Sequence, residues 1–278
     1  MLFGSSTSNT SLPKSSRPTD DRFGKYQPDI MNGLRKGANP NAVTSWGQTV
    51  LSYAIEHYYP FRDIYELLKA GVDLNATIRD DSKVTNFQLF LERSEKFFTA
   101  QNKKYAEGGH YDDPQIDNVL EMLIVMIRKG GSKKALKDYP VTAMWLYRAG
   151  RDRNLDVYFT EEEHKALGDP DSIKIDGMTI LSKAVDIQDT MLARGLCEAG
   201  ANFNASAGTS NGYTVFHKPL ALAQGSDEFQ PAHMVAILLK HGGSVELLKR
   251  YPDVIEQLLR KYNFREISSL EIRELLNS

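Results

Sequence analysis

The sequence predicts an all-α solenoid of stacked helix-turn-helix units with short hairpin loops, internally duplicated, and three observations carry that expectation. The segment Gly130-Gly131-Ser132-Lys133-Lys134-Ala135-Leu136-Lys137-Asp138-Tyr139-Pro140 returns as Gly242-Gly243-Ser244-Val245-Glu246-Leu247-Leu248-Lys249-Arg250-Tyr251-Pro252. Thr49-Val50-Leu51-Ser52-Tyr53-Ala54 returns as Thr179-Ile180-Leu181-Ser182-Lys183-Ala184, and Gly71-Val72-Asp73-Leu74-Asn75-Ala76 as Gly200-Ala201-Asn202-Phe203-Asn204-Ala205. Within each copy a helix opened by Thr precedes an apolar helix closed by Gly. Self-similarity of this kind marks a chain built by stacking one supersecondary unit. One such unit cannot bury its apolar face alone, so its neighbours supply most of the stability.

The elements follow in order. Residues 1–25, with Ser5-Ser6-Thr7-Ser8-Asn9-Thr10-Ser11 and Pro13 and Pro18, carry too little apolar surface to offset ordering entropy and read as a flexible tail. Residues 26–151 form the first repeat block, with a helical insertion near 92–115, and 175–265 form the second. Between them lies a connector, 152–174, where Thr160-Glu161-Glu162-Glu163 has capping-box spacing and predicts a short helix over 160–167. Val157, Tyr158, Phe159 and Leu167 make this connector too apolar for a free linker. Residues 266–278 form a C-terminal capping helix or tail, opened by Ser268 with Glu271 three residues on.

Local chemistry supports the unit. Thr49 and Thr179 can cap exposed backbone N–H groups at the start of a helix. Gly71 and Gly200 sit where a left-handed residue ends one, and Asn75 and Asn204 suit the following turn. In the Tyr139-Pro140 and Tyr251-Pro252 pairs, proline opens a helix without losing a needed N–H and forces the tyrosine out of helical geometry. We read each pair as a helix–helix corner rather than a binding motif, since Met144, Trp145, Leu258 and Leu259 continue an apolar face. In the insertion, Phe87, Leu91, Phe98 and Tyr105 stand near helical spacing with Phe90 and Phe97 beside them, predicting a long helix to about residue 106, broken by Gly108-Gly109. Those aromatics either project to meet a partner or lie on neighbouring helices, and the second reading is favoured because large exposed apolar patches are uncommon.

The order Gly47-x-Thr49-x-Leu51-x-x-Ala54, then Ile64-Tyr65-Glu66-Leu67-Leu68-Lys69-Ala70, then Gly71-Val72-Asp73-Leu74-Asn75-Ala76 resembles the ankyrin repeat, whose unit is Gly-x-Thr-Pro-Leu-His-x-Ala, a second helix ending Leu-Leu, and Gly-Ala-Asp-Val-Asn. The best copies are 45–76 and 175–205, after a partial unit ending Gly37-Ala38-Asn39-Pro40-Asn41-Ala42, and degenerate units follow at 81–132 and 210–244. The proline of Thr-Pro is absent throughout. The resemblance implies a non-catalytic scaffold that binds another protein through its concave face and hairpin tips, without a cofactor. Carried over by position, the partner-binding residues are Trp46, Gln48, Glu56, His57, Arg79, Asp81, Asp176, Met178, Asp186, Asn211 and Tyr213. Trp46 leads among them, because tryptophan gives much contact area with few rotatable bonds; its alternative is packing between hairpins. Irregular ankyrin proteins with a Glu-rich, Ser-containing C-terminus also resemble secreted bacterial effectors, which would place the chain in a host cytoplasm.

Composition narrows the classes. With 278 residues, 41% of them hydrophobic, the chain can bury a substantial core, and a net charge of −2 gives no electrostatic footprint for nucleic acid. No apolar run is long enough for a membrane span, the N-terminal residues lack the compact apolar stretch expected of a secretory signal, and the single cysteine fits a reducing compartment, so a cytoplasmic location is expected. A capped solenoid has no need to pair, so a monomer is expected. Cys197 aligns with Leu68 and reads as a core residue rather than a nucleophile. His217 fills the His place of the repeat, where Ser52 and Ser182 stand in the other units, and reads as structural. There is no phosphate-binding glycine loop and no His-Glu-x-x-His motif. The competing class is an enzyme with its site in the insertion or connector, which a cleft gathering His110 or His164 with carboxylates would favour.

Overall fold

The computed structural model describes residues 18–24, 28–106, 114–149, 159–204, 213–261, 264 and 267–278. Val157, Tyr158, Gly108-Gly109, His110 and Asn211, and residues 1–17 and 25 of the 1–25 tail, lie outside them; residues 18–24 of that tail are described, with a 3₁₀ turn Asp21–Phe23 and Phe23 buried. The described chain is mostly helical, as an all-α reading requires. It divides into two compact units, residues 1–90 and 91–278.

In the first unit, α1 (Ile30–Arg35), α2 (Val50–Glu56) and α3 (Phe61–Lys69) pack through Ile30, Leu51, Ala54, Leu67 and Leu68, all buried. Thr49 caps α2 by accepting from the Ser52 N–H at 3.0 Å, and its hydroxyl donates to Asn86 Oδ1 at 2.6 Å inside the core. The same closure recurs along the chain. Thr85 Oγ1 accepts from Gln88 N–H while its own N–H meets Gln88 Oε1, and Thr179 Oγ1 accepts from Ser182 N–H. Thr214 N–H donates to His217 Nδ1 at 2.9 Å. In each unit, therefore, the residue three after Thr closes back on it, whatever its type.

Gly71 and Gly200 adopt φ of 85° and 91°, as a left-handed helix terminus requires. The turn that follows differs in detail from the sequence reading. The acceptor side chains are Asp73 and Asn202, which take the backbone N–H groups of Asn75 (2.8 Å) and Asn204 (3.0 Å) two residues on; Asn39 does the same for Asn41. A side chain from the preceding turn then reaches each of these residues. Asp20 accepts from Asn39 N–H at 2.8 Å, Asn41 from Asp73 N–H at 2.6 Å, and Asp171 from Asn202 N–H at 2.9 Å. Short carboxylate and amide side chains thus satisfy donors that would otherwise be left in loops.

The second unit holds most of α4 (Asn86–Ala106), then α5 (Pro114–Arg128), a 3₁₀ turn Lys133–Asp138, α6 (Pro140–Arg148) and α7 (Glu161–Lys165). A hairpin of β1 (Lys174–Ile175) and β2 (Met178–Thr179) turns at Asp176-Gly177, both at positive φ, which matches strand twist. After it come α8 (Ile180–Asp186), α9 (Thr190–Glu198), α10 (His217–Ala223), α11 (Phe229–Lys240), α12 (Val245–Leu248), α13 (Pro252–Glu256) and α14 (Ser269–Asn277). Helix α9 is central, packed on α6, α7, α8 and α11. Pro140 and Pro252 open α6 and α13, the tyrosine before each lying outside helical geometry. Capping boxes form at Thr160–Glu163 and Ser268–Glu271, and Lys240 ties α14 to α11 through Glu271 at 2.6 Å. No helix among the described residues is long and apolar enough to cross a membrane.

The insertion helix carries its aromatics inward. Phe87, Leu91 and Phe98 are buried, and Phe98 stacks on Trp145 of α6 with ring centroids 5.1 Å apart. The projecting reading is corrected for Phe98, whose ring is removed from water against Trp145 of α6; the Tyr105 side chain lies outside the described residues. Polar groups lock the pair. Glu95 accepts from the N–H groups of Val141 (3.0 Å) and Thr142 (2.7 Å) at the start of α6, and the Trp145 indole N–H donates to Asn102 Oδ1 at 3.1 Å.

The connector helix α7 is held to α5 by a two-point pair, Arg128 Nε to Glu163 Oε1 at 2.7 Å and Nη2 to Oε2 at 2.9 Å. The Arg128 guanidinium, with the Thr160 cap, draws the Glu163 carboxyl down to about 2 from its usual 4.5. A depressed carboxyl pKa contributes stability above the unfolded value that disappears as pH falls toward the folded one. Protection of the α7 amides against hydrogen exchange, relative to intrinsic exchange at the same pH, is therefore expected to fall between pH 4.5 and about 2 in the native chain. In Glu163→Gln this acid step should be absent, and an unchanged step in that variant would assign it to other carboxylates.

Candidate functional site

The described residues among those chosen from the sequence are shared between the two units, which are taken in turn. In the first unit Trp46 stands 48% exposed at a hairpin tip and stacks on Tyr53 of α2, centroids 5.9 Å apart and planes within 11°. His57 lies over the same tyrosine at 4.0 Å. The row Trp46–Tyr53–His57 is thus both packed and open to solvent, which joins the two readings offered for Trp46. Arg79 and Asp81 are exposed at the next tip.

Gln48 is a correction. It is 4% exposed, and its amide donates to Glu56 Oε2 at 2.7 Å, fastening the hairpin to α2. It therefore braces the site and offers no surface of its own.

In the second unit, Met178, Asp186 and Tyr213 come together. They line one groove of about 410 Å3 between α8 and α10, whose other walls include Val185, His217, Lys218, Ala221 and Tyr251. Asp186 pairs with Lys218 across it. Tyr213, 49% exposed, meets the His217 ring edge-on at 4.8 Å. Because His217 Nδ1 accepts from the Thr214 N–H, the neutral ring carries its proton on Nε2. The structural role expected for His217 is present, and the same ring forms part of the groove. Asp176 sits at the hairpin tip, 3.7 Å from Lys183 of α8.

On the other side of α8 a second groove, about 510 Å3, is walled by Lys103 of α4, Trp145 and Arg148 of α6, Ile175, Lys183 and Ile187. Arg148 lies over the Trp145 ring at 5.0 Å and pairs with Asp189 at 3.3 Å. Ile187, at the end of α8, is 50% exposed. Helix α8 thus forms a ridge between two troughs, with an apolar residue exposed on its crest.

Sequence reasoning missed Lys218, Ala221 and Tyr251 as lining residues. The signal for the first two was present: Lys218 and Ala221 stand three residues apart and share a face of α10. Tyr251 was read as a corner residue alone, and it is a corner residue whose ring also closes the groove.

The groups named for catalysis lie elsewhere. His164 is fully buried, its Nδ1 3.6 Å from Glu198 Oε2 and its ring against Phe159 and Tyr147. Cys197 is buried on α9, and desolvation, with Glu198 and Asp171 nearby, pushes its thiol up to about 12, so the thiolate is not populated near neutrality. Among the described residues no three His, Cys, Asp or Glu side chains gather as metal ligands. No family model matches the chain, and no curated protein matches it significantly.

Proposed function

We propose that the chain is an ankyrin-like, non-catalytic interaction scaffold that grips a segment of a partner protein across α8, with the Trp46–Tyr53–His57 row as a further contact surface. The observation that carries this reading is the convergence of Met178, Asp186 and Tyr213, taken from two successive repeat copies, on one groove. Half-exposed Tyr213 and Ile187 supply anchors of the kind that dominate protein interfaces when they become fully desolvated. The Asp186–Lys218 pair gives a polar rim able to fix register. Recurrent Thr closures and side-chain bonds between successive turns are further support for repeat construction.

The test is site-specific photocrosslinking in whole cells, with the reactive residue placed at Tyr213, at Ile187 or, as a control, at Glu246. One crosslinked protein shared by the first two positions and absent from the third is expected. Its affinity for Tyr213→Ala/Ile187→Ala should fall about 30-fold or more, as for a hot-spot truncation. A partner that crosslinks equally from Glu246, or binds the double variant with unchanged affinity, overturns the proposal.

A further inference from the structure

The duplication provides an internal comparison that singles out a second site, away from α8. In the second copy, the turn after Gly242-Gly243 carries Val245, Glu246 and Lys249, and Lys249 is neutralised by Glu246 at 2.8 Å. The corresponding residues of the first copy are Lys133, Lys134 and Lys137. No ion pair forms at any of these three among the described residues, where such a pair would have been inexpensive for the sequence to supply. The lysines line a cavity of about 380 Å3, closed by the end of α7 and the loop after it, with Leu136, Leu167 and Ile173 beneath. One carboxylate, Asp169, also lines it, and its Oδ1 is engaged by the Asp171 N–H at 2.9 Å.

We propose that this cavity binds a phosphate-ester ligand carrying more than one phosphate. Three ammonium groups come from one short 3₁₀ turn, which rises only about 2 Å per residue. Their charge is therefore concentrated over a distance suited to clustered dianionic phosphates rather than to carboxylates spaced along an extended peptide. Lysine acts as a mobile point charge, so recognition is by charge density and not by a forked geometry. The apolar floor suits a ring or glycerol body between the phosphates. The volume lies within the usual range for small-ligand sites, about 300–1,000 Å3. A free inositol polyphosphate and a phosphoinositide headgroup share this chemistry.

The decisive variant is Lys133→Val/Lys134→Glu, which writes the second copy's residues into the first and gives Lys137 the same partner that Lys249 has. Its packing precedent is already present in the chain, and a circular dichroism spectrum like that of wild type is the check that it is folded. Calorimetry with inositol hexakisphosphate, and flotation with phosphatidylcholine vesicles with and without phosphatidylinositol phosphate, form the two arms. Wild type is expected to bind at least one probe, with the variant about tenfold or more weaker. Binding to the soluble probe assigns a free polyphosphate, and binding to phosphorylated vesicles alone assigns the lipid. Lys249→Gln/Arg250→Glu, with the same change in charge, should bind as wild type does. Equal weakening in that control, absence of binding by wild type to both probes, or equal affinity for a poly-glutamate peptide overturns the proposal.

Discussion

Phe98→Ala is expected to destabilise the second unit by about 4 kcal/mol, the range for removing a large aromatic from a closed core. The ring is fully buried and stacks on Trp145, whose indole is fixed by Asn102 and over whose ring Arg148 also lies. Losing it leaves a void bordered by groups that cannot readily collapse, since Glu95 and Asn102 hold α4 to α6 at two points. Urea denaturation followed by Trp fluorescence reads the loss. Phe97→Ala is the internal reference: that ring meets Phe98 edge-on at 5.4 Å but is only partly buried, so its removal should cost less than half as much. Equal small losses for both would mean that the insertion helix is not part of the core.

Gly195→Ala is expected to cost about 3 kcal/mol, the upper part of the usual range for overpacking. A methyl group at Gly195 of α9 would run directly into the Tyr147 carbonyl oxygen of α6, with the carbonyl carbon 2.9 Å away. The obstacle is backbone, so the two helices themselves must part. Because α9 also carries α7, α8 and α11, the shift cannot remain local. Gly33→Ala is the contrasting case. There the added methyl meets the Phe23 side chain, whose ring can rotate aside, and a smaller loss is expected. If Gly195→Ala proves no worse than Gly33→Ala, α6 and α9 are not in close backbone contact.

What could be read from the sequence was local. The Thr closures, the left-handed glycines, both capping boxes and the Tyr-Pro corners each depend on residues within four positions of one another, so type and spacing were enough. Misreadings arose where the same residue types stand close together or where the partner is distant. Asp73 and Asn75 are both turn formers, and only the geometry shows which side chain accepts. Gln48 precedes Thr49 in a hairpin whose inward side depends on register, so its burial against Glu56 was invisible. Glu95 and Asn102 stand among the polar positions of a long helix, and their partners lie more than forty residues away. The groove was half legible: Met178, Asp186 and Tyr213 were found by position in the repeat and Lys218 could have been by helical spacing, whereas Tyr251 required the packing of the α12–α13 corner.

The side-chain bonds from one turn to the next have a consequence for how such a chain can grow. Asp20, Asn41 and Asp171 each lie upstream of the N–H they accept, so in each of these three links the earlier turn accepts and the later one donates. The linkage has a direction, like interlocking tiles with one tongue and one socket. Gain or loss of a whole tile leaves every tongue in a socket, whereas a cut part-way through strands one donor and one acceptor. Duplication in register is then a structurally neutral event, and the two halves of this sequence have the form that such an event would leave.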